Sequence, residues 1–213
     1  MNKLTMAICG ALLAASSGVN AANIVVNGGF EADAISGSWE QLPAVTGWSS
    51  DGVFEIQRGS DHGGWPAFNT AFEGEQYLEL NSTNLTSIWQ DLTTTSGGLY
   101  NLSFAYSGRS DTPGDLNSAL EVYWGGSQVV ATSVTSHSGW VEYHFTNLLA
   151  SDSLTTLKFV SIEPQNAPSY GSFLDGVMVT AVPEPSTYGM LALGLGVMGL
   201  ISRRRRQHQH PLY

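Results

Sequence analysis

Tyr100-Asn101-Leu102-Ser103-Phe104-Ala105-Tyr106 is the stretch that decides the fold. Leu102, Phe104 and Tyr106 alternate with Asn101, Ser103 and Ala105, the period of an extended strand with one face turned to a core. The same period returns on moving outward along the chain. Leu120, Val122 and Trp124 alternate with Glu121 and Tyr123, and Val141, Tyr143 and Phe145 alternate with Glu142 and His144. Leu157 and Phe159 flank Lys158, and Val177 and Val179 flank Met178. Residues 76–80 and 88–92 are two further short candidates. Turn formers separate these runs: Gly97-Gly98, residues 111–114, Gly125-Gly126, residues 136–139 and residues 164–171. Between residues 22 and 181 no stretch sustains a 3.6-residue pattern, and no internal repeat is present. About eight short strands with one polar face each predict an all-β domain, a jelly-roll β-sandwich, over residues 22–181.

The two ends read differently. Lys3 is a lone cation, residues 4–15 are mostly apolar, and Val19-Asn20-Ala21 places small residues where a signal peptidase reads. An apolar stretch of this length also suits a buried helix. The cation before it and the small residues after it favour a signal peptide over residues 1–21, cut after Ala21. The one cysteine of the chain, Cys9, lies inside that signal. The mature chain is then neither a disulfide scaffold, a thiol enzyme nor a cysteine-zinc protein.

At the other end, Val182-Pro183-Glu184-Pro185-Ser186-Thr187 precedes an apolar run over residues 188–201, and Arg203, Arg204, Arg205 and Arg206 follow it. The prolines forbid regular helix or central strand, which makes this piece an extended hinge. As a helix, the apolar run is roughly 21 Å long at about 1.5 Å per residue, short of a hydrocarbon thickness of about 30 Å. Length alone favours a buried helix. The arginine cluster favours a membrane helix whose far end faces the cytoplasm. Snorkelling side chains and a thinned bilayer let such a short helix span. Residues 207–213 are then a cytoplasmic tail.

Pro-Glu-Pro, a short Gly/Ala/Leu-rich helix and a terminal arginine cluster, in that order, resemble the PEP-CTERM sorting signal over residues 182–206. The resemblance implies export in a Gram-negative bacterium and an inner-membrane precursor held by a transmembrane helix at 188–201. It also implies an exosortase-type membrane protease as partner, with Pro183, Glu184, Pro185 and the four arginines as the sorting motif. Release to the cell surface or to an extracellular polysaccharide (biofilm) matrix would follow. The residues by themselves fit a permanent single-span anchor equally well.

Charge narrows the partners. The chain has eight Lys plus Arg and eighteen Asp plus Glu. Lys3 and the four terminal arginines lie in the ends, as does Glu184. Three cations (Arg58, Arg109, Lys158) and seventeen acids remain in residues 22–181, a net charge of −14. Such a surface repels nucleic acid.

A second resemblance runs through this body. Asn27-Gly28-Gly29-Phe30-Glu31 is followed by Thr46-Gly47-Trp48, then by Gly74-Glu75-Gln76-Tyr77-Leu78-Glu79-Leu80. Tyr100-Asn101-Leu102-Ser103-Phe104 comes next, and Phe173-Leu174-Asp175-Gly176-Val177 closes the series. In this order the pieces resemble the galactose-binding-like jelly roll shared by several carbohydrate-binding modules. The resemblance implies a structural calcium where the first and last strands meet. Glu31 and Asp175 would supply carboxylate oxygens, with carbonyls completing a shell of about six to eight oxygens. Gly176 stands where many relatives carry a second Asn or Asp, which removes one side-chain ligand. Read without the resemblance, both acids are exposed strand-end residues.

Sugar CH faces stack on flat apolar rings, so aromatic side chains are the natural carbohydrate platform. Of the six tryptophans, Trp48, Trp89 and Trp124 fall within or beside strand patterns and read as core. Trp65 and Tyr170 lie in turn-rich loops and Trp140 stands at a strand start, which makes these three the ligand-binding candidates. Arg109 reads as a partner of Asp111. Catalysis finds no Gly-x-Ser-x-Gly, no His-Glu-x-x-His and no phosphate loop. His62 and His137 are lone loop histidines, and His144 falls on a polar strand face. The chain therefore reads as a non-catalytic exported protein that binds carbohydrate or builds a polysaccharide matrix. The alternative is a secreted hydrolase acting on matrix glycans. The export reading makes one direct prediction: amino-terminal sequencing of surface-localised protein begins at Ala22, and an intact Met1 there overturns it.

Overall fold

The computed structural model describes residues 21–58, 61–62, 65–66, 70–109, 117–135, 139–164, 169–183 and 194. Of the expected signal peptide at 1–21 all but Ala21, of the expected helix at 188–201 all but Gly194, and the whole tail at 207–213 lie outside them. Among the described residues no helix is long and apolar enough to cross a membrane. By contacts the chain divides into two units, Met1–Val182 and Pro183–Tyr213. The first unit holds the strands.

The strands are β1 (Trp39–Leu42), β2 (Ser49–Ser50), β3 (Phe54–Arg58), β4 (Asp61–His62), β5 (Trp65–Pro66), β6 (Gln76–Glu79), β7 (Ser87–Thr93), β8 (Leu99–Gly108), β9 (Asn117–Trp124), β10 (Ser127–Thr135), β11 (Val141–Leu149), β12 (Leu154–Glu163) and β13 (Ser172–Ala181). A six-stranded sheet has the order β1-β3-β6-β13-β8-β11 and a five-stranded sheet the order β10-β9-β12-β7-β2; β4 and β5 form a separate hairpin. All pairings are antiparallel.

Alternation dictates the stacking. Leu102, Phe104 and Tyr106 of β8 share one buried cluster with Leu120, Val122 and Trp124 of β9 and with Leu157 and Phe159 of β12. The apolar faces of the two sheets thus close on each other as a sandwich. Phe104 meets Phe159 edge to face at 5.2 Å across the sheets, and Tyr100 meets Trp124 at 5.6 Å. The buried indole N–H groups are satisfied: Trp48 donates to the carbonyl of Asn27 at 3.0 Å and Trp124 to that of Leu149 at 2.9 Å.

Six strands were not among the sequence candidates: β1, β2, β3, β4, β5 and β10. In β10 a bulge between Gln128 and Val130 breaks the two-residue period and leaves Val129 and Val130 adjacent and both partly buried. The turn before it was legible. Gly125 and Gly126 both have positive φ, 56° and 83°, as the two central residues of a type I′ hairpin require.

The two ends of the domain meet. Ile24 N–H donates to the carbonyl of Val179 at 2.9 Å and Val177 N–H to that of Gly28 at 3.0 Å. The first described segment therefore runs along β13 beyond the two residues, Phe173 and Leu174, that pair with β6. Because Phe104 is 1% exposed at the centre of the inter-sheet contact, Phe104→Ala is expected to lower unfolding free energy by about 3–5 kcal/mol. Met178→Ala, at a 43% exposed position of β13, should cost less than about 1 kcal/mol. Urea denaturation of the two variants checks the contrast.

Candidate functional site

Across β3, β6 and the start of β13 the six-stranded sheet is buried on both faces. Ile56, Leu78 and Leu174 point into the core, so their neighbours Glu55, Gln57, Tyr77, Glu79 and Phe173 point away from it. All five are nevertheless buried. The outward face therefore has an interior of its own, and it divides into an aromatic half and a polar half.

The aromatic half centres on Tyr77. Its ring meets Phe173 at 4.8 Å and Trp140 at 5.6 Å, both edge to face. Phe72 covers Trp140 at 6.2 Å, and the Trp140 Nε1–H donates to the carbonyl of Thr70 at 2.7 Å. The polar half is a chain of hydrogen bonds. Gln57 Nε2 donates to Glu55 Oε1 and to Glu79 Oε2, each at 2.7 Å. Ser82 Oγ donates to Glu55 Oε2 at 2.9 Å, and Gln41 Nε2 donates to Ser82 Oγ at 2.5 Å. Glu79 Oε1 accepts from Arg109 Nη1 and from the Gly171 N–H, both at 2.9 Å. Arg109 also lies over the Tyr170 ring, 5.2 Å from its centroid.

Burial pushes the Glu79 carboxyl up to about 8. Arg109 opposes this, the Glu55 charge adds to it, and the Gly171 N–H opposes it. Beside Glu79, the Asn81 side chain is fully buried, and neither its Oδ1 nor its Nδ2 has a hydrogen-bond partner among the described residues. Gly171 packs between the two. A Cβ there would lie 2.8 Å from Glu79 Cγ and 3.0 Å from Asn81 Cβ.

Two of the three candidate ligand residues thus reach the same face. Trp140 caps the aromatic half, and Tyr170 lies at the edge of the polar half; both are half-buried. The backbone of Trp65 lies in β5, and its side chain is outside the described residues. Arg109 pairs with Glu79 at 2.9 Å, while Asp111 lies outside the described residues. Trp48 and Trp124 are core. Trp89 was read as core as well, and here the structure corrects the sequence: it is half-buried, with Lys158 Nζ 5.5 Å from its ring centroid. The apolar neighbour Ile88 takes the core-facing position, so Trp89 faces outward. Sequence reading missed Glu55, Gln57, Glu79 and Asn81. Acidic and amide residues alternating with Phe54, Ile56 and Leu78 look like a solvated strand face until the covering loops are in place.

Residues 23–180 match the family described as protein of unknown function (DUF642). The chain belongs to the DUF642 family. Residues 181–206 match the PEP-CTERM protein-sorting motif, which marks an exported, membrane-anchored precursor. No curated protein matches the chain. Solved structures similar to this DUF642 chain include TmCBM61 in complex with beta-1,4-galactotriose, 17% identical with a TM-score of 0.48 over 76% of this chain and 100% of that one. The CBM22-1 xylan-binding domain from Paenibacillus barcinonensis Xyn10C is 16% identical, with a TM-score of 0.43 over 65% and 88%. A family 35 carbohydrate binding module from Clostridium thermocellum is 17% identical, with a TM-score of 0.40 over 54% and 84%.

In this DUF642 domain Glu31 and Asp175 hold opposite ends of one loop. Glu31 Oε1 accepts from the N–H groups of Glu75 and Gln76, each at 2.7 Å. Asp175 Oδ2 accepts from those of Phe72 and Glu73 at 2.9 and 3.0 Å, and its Oδ1 from that of Gly176 at 2.7 Å. Between the two grips stands Gly74, at φ 62°, where a Cβ would fall 2.2 Å from Glu31 Oε1. Glu31 is exposed, as a strand-end acid would be, but Asp175 is fully buried. As arranged, the two acids fit a loop clamp. A calcium shell would need oxygens where these N–H groups stand, and among the described residues no three Asp, Glu or His side chains converge.

Burial pushes the Asp175 carboxyl up to about 7 against its N–H bonds from Glu73, Gly176 and Phe72, with the Glu73 charge adding to the rise. A carboxyl raised on folding stabilises most below its unfolded value near 4, and that stability is lost as pH climbs through the folded value. The stability of the wild type relative to Asp175→Asn should therefore fall between about pH 4 and pH 7 and level off above about pH 8. Paired urea titrations across that range check this, and a pH-independent difference rejects it.

Proposed function

We propose that the sandwich, read as a jelly roll, is a non-catalytic carbohydrate-binding domain. We place its ligand on the outward face of the six-stranded sheet, at the edge formed by Tyr170, Arg109 and Asn81. The observation that carries the reading is the Asn81 amide, buried without a partner beside a paired Glu79–Arg109 and an aromatic ring over which Arg109 lies. A buried unmet amide is costly by about 1–3 kcal/mol. Sugar hydroxyls supply the donors and acceptors it lacks, while the ring offers a flat surface for the sugar's CH face.

The sorting motif supplies the context. The reading has helix 188–201 hold the precursor in the inner membrane with the arginines inside, since moving several charges through hydrocarbon is costly. An exosortase-type protease acting near Pro183-Glu184-Pro185 then frees the body to the cell surface or to an extracellular polysaccharide matrix. A structural calcium at Glu31 and Asp175 would have to displace the N–H groups that these carboxylates now accept from. A melting temperature that falls on chelation and returns with calcium assigns it.

A hydrolase is the second reading, and one observation favours it. Glu55 and Glu79 are register partners that share the amide of Gln57, and the raised Glu79 would suit a general acid. Occupancy tells against it. Both Glu79 oxygens are already engaged, Oε1 by Arg109 and the Gly171 N–H and Oε2 by Gln57, which leaves no free carboxyl oxygen for a glycosidic bond.

The reading makes its own prediction. Asn81→Leu removes the unmet amide, so it should raise the melting temperature while weakening retention on β-1,4-galactan or xylan; Tyr170→Ala should weaken retention about tenfold, roughly 1.4 kcal/mol. Affinity electrophoresis and melting curves of the purified protein measure both, and a reducing-sugar assay on the same polymers should show no release. A lower melting temperature with unchanged retention in Asn81→Leu means that water, not a ligand, satisfies the amide. In that case the site is misplaced.

A further inference from the structure

The opposite face of the sandwich carries an ordered row of side chains. In the five-stranded sheet the register aligns Ser49 of β2 with Trp89 of β7, Trp89 with Lys158 of β12, Lys158 with Tyr123 of β9, and Tyr123 with Gln128 of β10. One row thus crosses all five strands. Its strand neighbours Ile88, Leu157, Phe159, Val122 and Trp124 are core residues, so the row faces outward. Ser49 and Gln128 are exposed, and the three residues between them are half-buried. Beside Tyr123 and Lys158 an open depression of ≈ 530 Å³ is lined also by Gly126, Thr156 and Val160.

The charges of this face are arranged unevenly. Its acids are already engaged by hydroxyls: Tyr123 donates to Glu121 Oε2 at 2.6 Å and Thr156 to Asp91 Oδ1 at 2.5 Å. Arg58 pairs with Glu75, and Arg109 with Glu79. Lys158, the third cation of the body, has no ion-pair partner among the described residues. Its ammonium rests over Trp89 instead, where three N–H donors stay available to a ligand. In a strongly acidic body such a lysine would ordinarily find a carboxylate.

We infer that this row is a second carbohydrate-binding surface, for an extended neutral polysaccharide lying across the strands. Trp89 and Tyr123 supply two stacking rings, and Ser49, Lys158 and Gln128 supply hydrogen bonds to hydroxyls. Strands lie about 4.8 Å apart, so the two rings stand roughly 10 Å apart with the ammonium between them, the span of a disaccharide. The negative charge of the body selects a neutral chain over a polyanion. For the class of ligand, this inference rests on the carbohydrate reading of the domain. It adds that the two faces of the sandwich hold two chains at once, so that one molecule bridges polymers.

Affinity electrophoresis in xylan and in β-1,4-galactan, with melting temperatures alongside, separates the readings. Trp89→Ala and Tyr123→Ala are each expected to weaken retention at least about tenfold at an unchanged melting temperature, and Tyr123→Phe, which keeps the ring, should retain binding. Mixed with dilute polymer, the wild type should form turbid networks, whereas a Tyr123→Ala protein still binding through its Tyr170 face should not. If retention falls only with Tyr170→Ala, or if the row variants lower the melting temperature without touching retention, the second surface is overturned and the first stands. Wild-type protein that neither polymer retains overturns both.

Discussion

The pairing of β13 between β6 and β8 is the constraint on which both sides of the domain depend. It is the last of the described strands, yet it lies third from the β8–β11 edge of a six-stranded sheet. Without it the sheet falls into β1-β3-β6 on one side and β8-β11 on the other. Its inward residues Leu174, Val177 and Val179 complete the core. Its outward residues Phe173 and Asp175 pack against Tyr77 and hold the 72–73 backbone. The segment at 23–28 docks on it as well, through Ile24 and Gly28. These contacts join residues at least 64 positions apart, from Ser172–Gly108 to Ile24–Val179 across 155, so the sheet closes late and slowly compared with one made of hairpins.

Burying polar groups on the outward face sets the chemistry there. Glu55, Gln57 and Glu79 exchange water for one another, for Ser82 and for Arg109. Such a network rigidifies when every member is satisfied and weakens sharply when one is removed. Asn81 is the member left over. On the proposed reading, a face that is largely closed but retains one unmet amide gains more from a polar ligand than a solvated strand face would. The five-stranded sheet works differently. Its outer row is only half-buried, its acids are quenched by neighbouring hydroxyls, and its lysine sits on an indole.

Where one face was apolar and the other polar, the strands could be read directly: β8, β9, β11, β12 and β13 follow the alternation of their residues. The hairpin turn at Gly125-Gly126 was legible too, but the bulge after Gln128 hid the strand that follows it. The outward site was legible only in its aromatics, Trp140 and Tyr170, because a ring in a loop or at a strand start is conspicuous. Glu79 and Gln57 were not, since alternation tells which way a side chain points and not what later covers it. The reading of Trp89 as core failed for a related reason. Large apolar residues usually point inward, and only the register with Ile88 shows that this one does not. Glu31 and Asp175 were read as calcium ligands, and each is found holding one end of the 72–76 loop. That they grip backbone N–H groups of the 72–76 loop depends on a loop conformation no spacing rule supplies.

The junction between domain and tag has a mechanical consequence. β13 ends at Ala181 and the sorting motif begins at that same residue, so the tag continues in sequence from a strand inside the sheet. Antiparallel hydrogen bonds run perpendicular to their strands. Tension entering at Val182, with the domain held by its two faces, therefore acts along β13 and shears its bonds to β8 together instead of peeling them one at a time. A membrane-tethered precursor caught in a polymer network would thus resist being pulled apart at the point where it is held, with no change of sequence beyond the order in which the strands were laid down.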